Sequence, residues 1–186
     1  MQKFIIGLCG LQGCGKGTAA DLLQKEYGAG YFRFSAIMGD VLTRLGIEKS
    51  REEFIKLSEC LRATFGEDIF SYAIEKDAVL APQPIVIIDG IRRPEDIVAL
   101  EPLPNFKLIS IEAPAALRFE RMKGRGEKVG EQNMTWEGFL ADEEAPTEVT
   151  IPLVMQRATI TIKNEGTREE FEEKVREMMK ELEVST

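Results

Sequence analysis

Apolar residues recur along the chain in two rhythms. Short runs at Lys3–Cys9 (KFIIGLC), Ile85–Asp89 (IVIID), Lys107–Glu112 (KLISIE) and Thr159–Lys163 (TITIK) are bounded by Gly, Pro or polar residues, which predicts strands. Tyr31–Ser35 is a short aromatic run read as a further strand. Between these runs the spacing is helical: Lys16–Tyr27 with Leu22 and Leu23 inward, Ser35–Leu45, Asp68–Val79, Glu95–Leu100 behind Pro94, and a stretch from Pro114 through Met122. Ser50 with Glu53, and Thr167 with Glu170, have the spacing of capping boxes. The helix opened at Ser50 sets Phe54, Leu57, Leu61 and Phe65 on one face. The helix opened at Thr167 runs to about Glu183 with Phe171, Val175, Met178, Met179 and Leu182 inward. Gly66 ends one helix, and Pro82 and Pro84 stop the next. Residues 124–150 lack a clean period and are rich in Gly, Asn, Thr and acids, which predicts a mobile insertion with a short helix near Trp136–Glu143.

Strands alternating with helices call for an α/β fold: a five-stranded parallel sheet, covered on both faces through right-handed crossovers. The 186 residues fit one domain, long enough to bury roughly 70% of the unfolded surface without a disulfide or metal staple. No apolar run approaches the ~18 residues of a membrane span, and residues 1–9 lack the core of a signal peptide. A cytoplasmic protein with no membrane partner is the expectation.

Composition removes much chemistry. The chain has no histidine, which excludes Ser-His-Asp triads, Cys-His pairs and imidazole metal sites. Cys9, Cys14 and Cys60 are scattered and odd in number, against a disulfide framework or zinc site and in keeping with a reducing compartment. The net charge of −8 disfavours non-specific nucleic-acid binding. Yet Arg118, Arg121, Lys123, Arg125 and Lys128 outnumber Glu120 and Glu127 within residues 118–128, while residues 131–148 hold six acids and no base. A basic island in an acidic chain suggests a small anionic ligand handled at one place.

Gly10-Leu11-Gln12-Gly13-Cys14-Gly15-Lys16-Gly17-Thr18 carries the decisive signal. It fits G-x-x-x-x-G-K with a strand before it and a helix after it, the context a phosphate-binding loop requires. Glycines let successive N–H groups surround a phosphate, the helix adds the positive end of its dipole, and Lys16 adds a mobile charge. ATP is the ligand expected over Gly10–Thr18, within a three-layer P-loop NTPase fold. Asp89, ending the IVIID run, stands where an acid holds Mg²⁺ through water, and Thr18 is the second candidate for the ion.

These residues resemble the nucleoside monophosphate kinases. Gly10–Thr18 resembles the adenylate kinase form of the loop. Met38-Gly39-Asp40-Val41-Leu42 is similar to the G-D-x-L segment that opens the monophosphate region, and Asp89-Gly90-Ile91-Arg92-Arg93-Pro94 to D-G-F-P-R, whose arginine holds the acceptor phosphate. The likeness extends over nearly the whole chain, to a group between adenylate kinase, dephospho-CoA kinase and deoxynucleoside monophosphate kinases. Leu61-Arg62-x-x-Phe65-Gly66, Arg118-Phe119-Glu120-Arg121 and Asn164-Glu165-Gly166-Thr167 share it.

The resemblance implies a kinase acting on a nucleotide acceptor. An acceptor region of about 36–80 would use Asp40, Arg44, Arg62 and Arg92, with Arg93 an alternative clamp. A lid of about 120–150 would bring Arg121 and Arg125 to the transfer site, with Arg118 in reserve. Asn164–Thr167 would edge the adenine pocket. Arg44 stands one position beyond the family's arginine, where Thr43 lies. Phosphoryl transfer needs alignment and charge neutralisation, which a chain without histidine can supply from Lys16, Asp89 and its arginines. A kinase of another small phosphate-containing acceptor, and a slow ATPase with a regulatory or assembly role, are the other readings. Monomer and homodimer are both compatible with the sequence.

Overall fold

The computed structural model describes residues 3–125 and 134–182. Five strands, β1 (Phe4–Cys9), β2 (Gly30–Arg33), β3 (Ile85–Asp89), β4 (Phe106–Glu112) and β5 (Ile160–Lys163), form one parallel sheet in the order β2-β3-β1-β4-β5. The central strands are buried on both faces, so their apolar runs are nearly continuous. Ile6, Leu8, Ile87, Ile109 and Ile111 meet Leu22 and Leu23 of α1 (Lys16–Tyr27) and Phe171, Val175, Met178 and Met179 of α8 (Arg168–Glu181). On the other face Ile5, Cys9, Val86 and Ile88 meet Phe34 of α2 (Phe34–Arg44), Phe70, Ile74 and Ala78 of α4 (Ile69–Leu80), and Val154 of α7 (Ile151–Met155). The three-layer α/β expectation is met, with the carboxyl ends of β1, β3 and β4 side by side.

Several local expectations hold. Thr167 and Glu170 form a reciprocal capping box at the start of α8. At the start of α3 (Arg51–Phe65) only half of the second box forms: Ser50 accepts from the Glu53 N–H, while the Glu53 carboxylate turns to Lys56 and the Ser50 N–H to the Glu48 carbonyl. The short helix in the acidic stretch is α6 (Trp136–Glu143). Among the described residues no helix is long and apolar enough to cross a membrane.

Other expectations need correction. The aromatic run gives only Gly30–Arg33 to β2, because Phe34 turns inward as the first residue of α2. Pro94 opens a single 3-10 turn, Pro94–Ile97, in place of a helix to Leu100. There the Asp96 side chain turns back to the Arg92 and Arg93 N–H groups, and Pro102 and Pro104 follow at once. The stripe of α3 enters the core only in part: Leu61 packs against it half-buried, Phe54 and Leu57 are half-buried, Phe65 is 64% exposed, and the one buried residue of α3 is Arg62. The sequence gives no signal for α7, which is too short to show a helical period and contains Pro152. Helix α6 is firmly seated: Phe139 is fully buried, stacked at 5.5 Å on Trp136 and edge-on to Phe119 of α5 (Ala115–Arg125) at 5.6 Å.

Candidate functional site

Residues 10–15 connect β1 to α1, with Gly10, Gly13 and Gly15 at φ 143°, 72° and 115°. None of the three has a substitute: a Cβ on Gly10 would stand 2.4 Å from the Ile111 carbonyl oxygen. A Cβ on Gly13 would stand 2.6 Å from the Arg118 carbonyl oxygen, and one on Gly15 2.4 Å from Asn164 Nδ2, besides the positive φ at both. Gly15 is also the N-cap of α1. It offers no capping side chain, and the first turn carries no acid. The leading N–H groups of α1 and its dipole are thus left to a ligand, which is how a helix N-terminus binds phosphate. Lys16 Nζ folds back along the loop, donating to the carbonyls of Gly10 (2.6 Å) and Leu11 (3.1 Å), with Cys14 Sγ at 3.7 Å. Gly17 is exposed and uncrowded, and Thr18 is half-buried in the first turn of the helix. Leu11, Cys14, Glu112, Pro114, Arg118 and Glu165 are among the residues lining a cavity of about 330 Å³ beside the loop.

Asp89 ends β3, the neighbour of β1. One carboxylate oxygen accepts from the Gly90 N–H (2.8 Å), and the other accepts the Tyr31 hydroxyl (2.6 Å) from β2. Tyr31 accepts in turn from Arg33 Nε at 2.7 Å. Burial and the bond to Asp89 push the Tyr31 phenol up to about 12, so it stays protonated and donating. The two bonds fix the orientation of the Asp89 carboxyl group at the carboxyl end of β3. Among the described residues no three acidic or sulfur side chains cluster as a metal cage. An ion here fits the manner of Mg²⁺, which is held by one or two side chains, water and substrate phosphate. Thr18 and Asp89 are the residues that could hold it.

The arginines depart most from expectation. Arg118 is 4% exposed. It donates from Nε to the Ala113 carbonyl (3.0 Å) and from Nη1 to the Gln12 carbonyl of the loop (3.3 Å). Both terminal nitrogens grip the Glu143 carboxylate of α6. Its guanidinium lies 5.3 Å from the Phe139 ring centroid. Arg121 binds the Asn164 carbonyl (3.2 Å), Asn164 Oδ1 (3.1 Å) and the Gly166 carbonyl (3.4 Å). Asn164, itself buried, donates to the Cys14 carbonyl at 2.8 Å. Both arginines therefore act in this structure on the carbonyl side of the phosphate loop or on its support. The basic island is less available for a ligand than its charge count suggests. Arg125 ends α5, and its side chain lies outside the described residues.

On the acceptor side, Asp40 and Arg44 are exposed along α2. Arg62 is neither a surface residue nor an open phosphate ligand. Its Nη2 binds Asp96 Oδ1 at 2.7 Å, Nη1 the Glu67 carbonyl, Nε the Ser58 hydroxyl at 3.4 Å, and its guanidinium lies 5.0 Å from the Phe70 centroid. Asp96 Oδ2 accepts the Arg92 and Arg93 N–H groups (2.9 and 3.0 Å), so the buried Arg62–Asp96 pair fixes the backbone of the twin-arginine turn. Arg92 Nη1 pairs with buried Glu148 at 2.8 Å, and Arg93 with exposed Glu67 at 3.3 Å. The carboxylates that hold these arginines, Asp96, Glu143 and Glu148, were missed as partners. Asp96 had a weak signal, three residues beyond Arg93 at capping spacing. Glu143 and Glu148 showed only as members of an acidic stretch, and Tyr31 showed none.

A family profile described as AAA domain (AAA_18) matches residues 6–145. Relatives include a UPF0200 protein of Sulfurisphaera tokodaii, 29% identical over 179 residues with 96% of this chain and 97% of that one covered. A UPF0200 protein of Thermococcus gammatolerans is 28% identical over 183 residues, covering 96% and 95%. Among solved structures, shikimate kinase from Bacteroides thetaiotaomicron superposes with a TM-score of 0.62 at 13% identity, covering 97% of this chain and 99% of that one. An uncharacterized protein from Eubacterium ventriosum gives 0.64 at 16% identity, covering 99% and 100%. At these identities the structural likeness shows the P-loop kinase-like fold.

Proposed function

The chain belongs to the AAA domain family, and from that premise and the loop geometry we propose that it is an ATP-dependent phosphotransferase. In this reading it moves the γ-phosphoryl of ATP, with Mg²⁺, to a nucleoside or deoxynucleoside monophosphate. One observation carries the reading: a glycine-turned loop at the end of β1 delivers an uncapped helix N-terminus and a lysine, and the adjacent strand β3 ends in a carboxylate. In this reading a single domain carries an acceptor region of about 36–80 and a lid-like insertion of about 120–150, of which residues 126–133 lie outside the described residues.

The loop N–H groups of Gly10–Thr18 bind and orient the triphosphate. Lys16 exchanges the loop carbonyls for the β and γ oxygens, which replaces two neutral acceptors by charged ones. Mg²⁺ supplies charge neutralisation at the transferring phosphoryl when bound. Thr18 and Asp89 hold the ion's side of the site, and Tyr31 keeps Asp89 oriented. Arg121 and Arg125 serve the transfer from α5, Arg121 after release from Asn164. Asp40, Arg44 and Arg92 meet the acceptor, and Arg62 serves it through Asp96 and the Arg92–Arg93 turn. No group need lose or gain a proton at imidazole, in keeping with a chain without histidine.

ADP release measured with Mg-ATP against a panel of ribo- and deoxynucleoside monophosphates and non-nucleotide phosphate esters tests the proposal. One monophosphate should raise turnover by orders of magnitude. Strong stimulation by a non-nucleotide ester would move the acceptor class. Slow hydrolysis indifferent to every acceptor would replace the kinase reading by that of a regulatory ATPase.

A further inference from the structure

Of the two buried arginines among the described residues, Arg118 is the one whose contacts join α6 to the phosphate loop. Arg118 reaches the phosphate loop twice: its side chain donates to the Gln12 carbonyl, and its own carbonyl occupies the space a side chain at Gly13 would need. Its guanidinium is gripped on the other side by Glu143, the last residue of α6, and lies over Phe139 of the same helix. The pair is nearly dry, with side-chain exposures of 5% and 17%. A planar guanidinium in a fork with a carboxylate has little freedom to rotate. The nitrogen that touches Gln12 is the one that binds Glu143 Oε1.

We propose that Arg118 is a positioning residue for the phosphate loop, held in place by Glu143. Nucleotide affinity is then set in part by a carboxylate on α6 that reaches the loop through Arg118. The Gln12 carbonyl and the Gly13 N–H belong to one peptide plane, and the next N–H, that of Cys14, is held inside the loop by the Leu11 carbonyl at 3.3 Å. Fixing the Gln12 carbonyl on the Arg118 side sets the Gly13 N–H the opposite way and limits the rotation of the loop before the ligand arrives, so less ordering is required on binding. The same bond makes the coupling reciprocal: a nucleotide that orders the loop also steadies Arg118, Glu143 and α6. This inference rests on the nucleotide reading given above and adds a determinant outside the loop.

The test is a double-mutant cycle on binding of the non-hydrolysable nucleotide Mg-AMPPNP, measured by titration calorimetry on the full chain. Wild type, Glu143→Gln, Arg118→Met and the double variant are each checked for folding by circular dichroism. Glu143→Gln keeps the shape, removes the charge and puts an NH₂ donor in place of one of the two oxygens that accept from Arg118, so it breaks the fork with almost no change of volume. It should weaken binding by about tenfold, within the ordinary range of coupling between sites. Arg118→Met should weaken binding at least as much, and Glu143→Gln should add less than about twofold in the Arg118→Met background. Arg118→Lys should restore little, because an ammonium cannot span Ala113, Gln12 and Glu143 together. If the pair merely stabilised the fold, breaking it would lower the melting temperature and leave the affinity of the folded protein unchanged, which would overturn the proposal. Folded Glu143→Gln binding within twofold of wild type, or additive effects in the double variant, overturns the proposal. Absence of binding by wild type itself fails the nucleotide reading, and the positioning role falls with it.

Discussion

Asp96→Asn is the substitution whose cost can be worked most fully from the geometry. Asp96 is 3% exposed and accepts three donors: the Arg62 guanidinium on Oδ1, and the Arg92 and Arg93 N–H groups on Oδ2. Asparagine has the same shape but offers a single acceptor oxygen. Whichever way the amide turns, its NH₂ faces either the guanidinium or the two N–H groups, donor against donor. The buried Arg62 charge also loses its partner. Breaking one side of such a pair costs about 3–5 kcal/mol. At about 2.1 cal/mol/K per residue, the 186 residues give an unfolding entropy near 0.4 kcal/mol/K, so the melting temperature should fall by roughly 8–13 °C. Differential scanning calorimetry at neutral pH measures this directly. The loosened twin-arginine turn should also raise the acceptor KM more than it lowers kcat. A melting temperature within 2 °C of wild type would refute the assignment of Asp96 as the hub of the turn.

Two further outcomes follow from groups held out of their ordinary state. Burial and the bond to Asp89 raise the Tyr31 phenol from 10.0 to about 12. The folded protein thus favours the neutral form, and the contribution is whole below pH 10 and lost as pH rises through about 12. Melting temperature against pH should fall more steeply for wild type than for Tyr31→Phe between pH 10 and 12, and parallel curves would remove the interaction. Burial pushes the Cys9 thiol up to about 12, and Cys14 is buried too, whereas Cys60 is exposed. Ellman's reagent should therefore titrate one thiol in the native protein and three in guanidinium. Rapid modification of a second native thiol would mean that the loop region opens readily.

The sheet and the phosphate loop were legible because their signals are local and dense. Lys3–Cys9, Ile85–Asp89 and Lys107–Glu112 announce strands through runs that can be satisfied only inside a sheet, and Gly10–Thr18 couples a motif to its strand-to-helix context. What escaped was pairing at long range. Nothing in the sequence tells Arg118 from Arg121, yet one meets Glu143 and the other Asn164. Arg62 looked like a polar position beside an apolar stripe, but the stripe of α3 faces partly outward and Arg62 turns in to Asp96. Helical periodicity identifies a face without saying what covers it. The acidic stretch was visible as charge, whereas the use of Glu143 and Glu148 to neutralise Arg118 and Arg92 depends on chain folding across dozens of residues.

Every functional step above depends on the loop before α1 binding a nucleoside triphosphate through its N–H groups and Lys16. Calorimetric titration of Mg-ATP into wild type and Lys16→Met measures this most directly. Wild type should bind with clear heat and one site, and Lys16→Met, losing the charge now resting 2.6 Å from the Gly10 carbonyl, should bind at least about tenfold more weakly, as loss of a charge-assisted bond of roughly 1.5–3 kcal/mol requires. No heat with wild type, or equal affinity in the two folded proteins, would contradict the account.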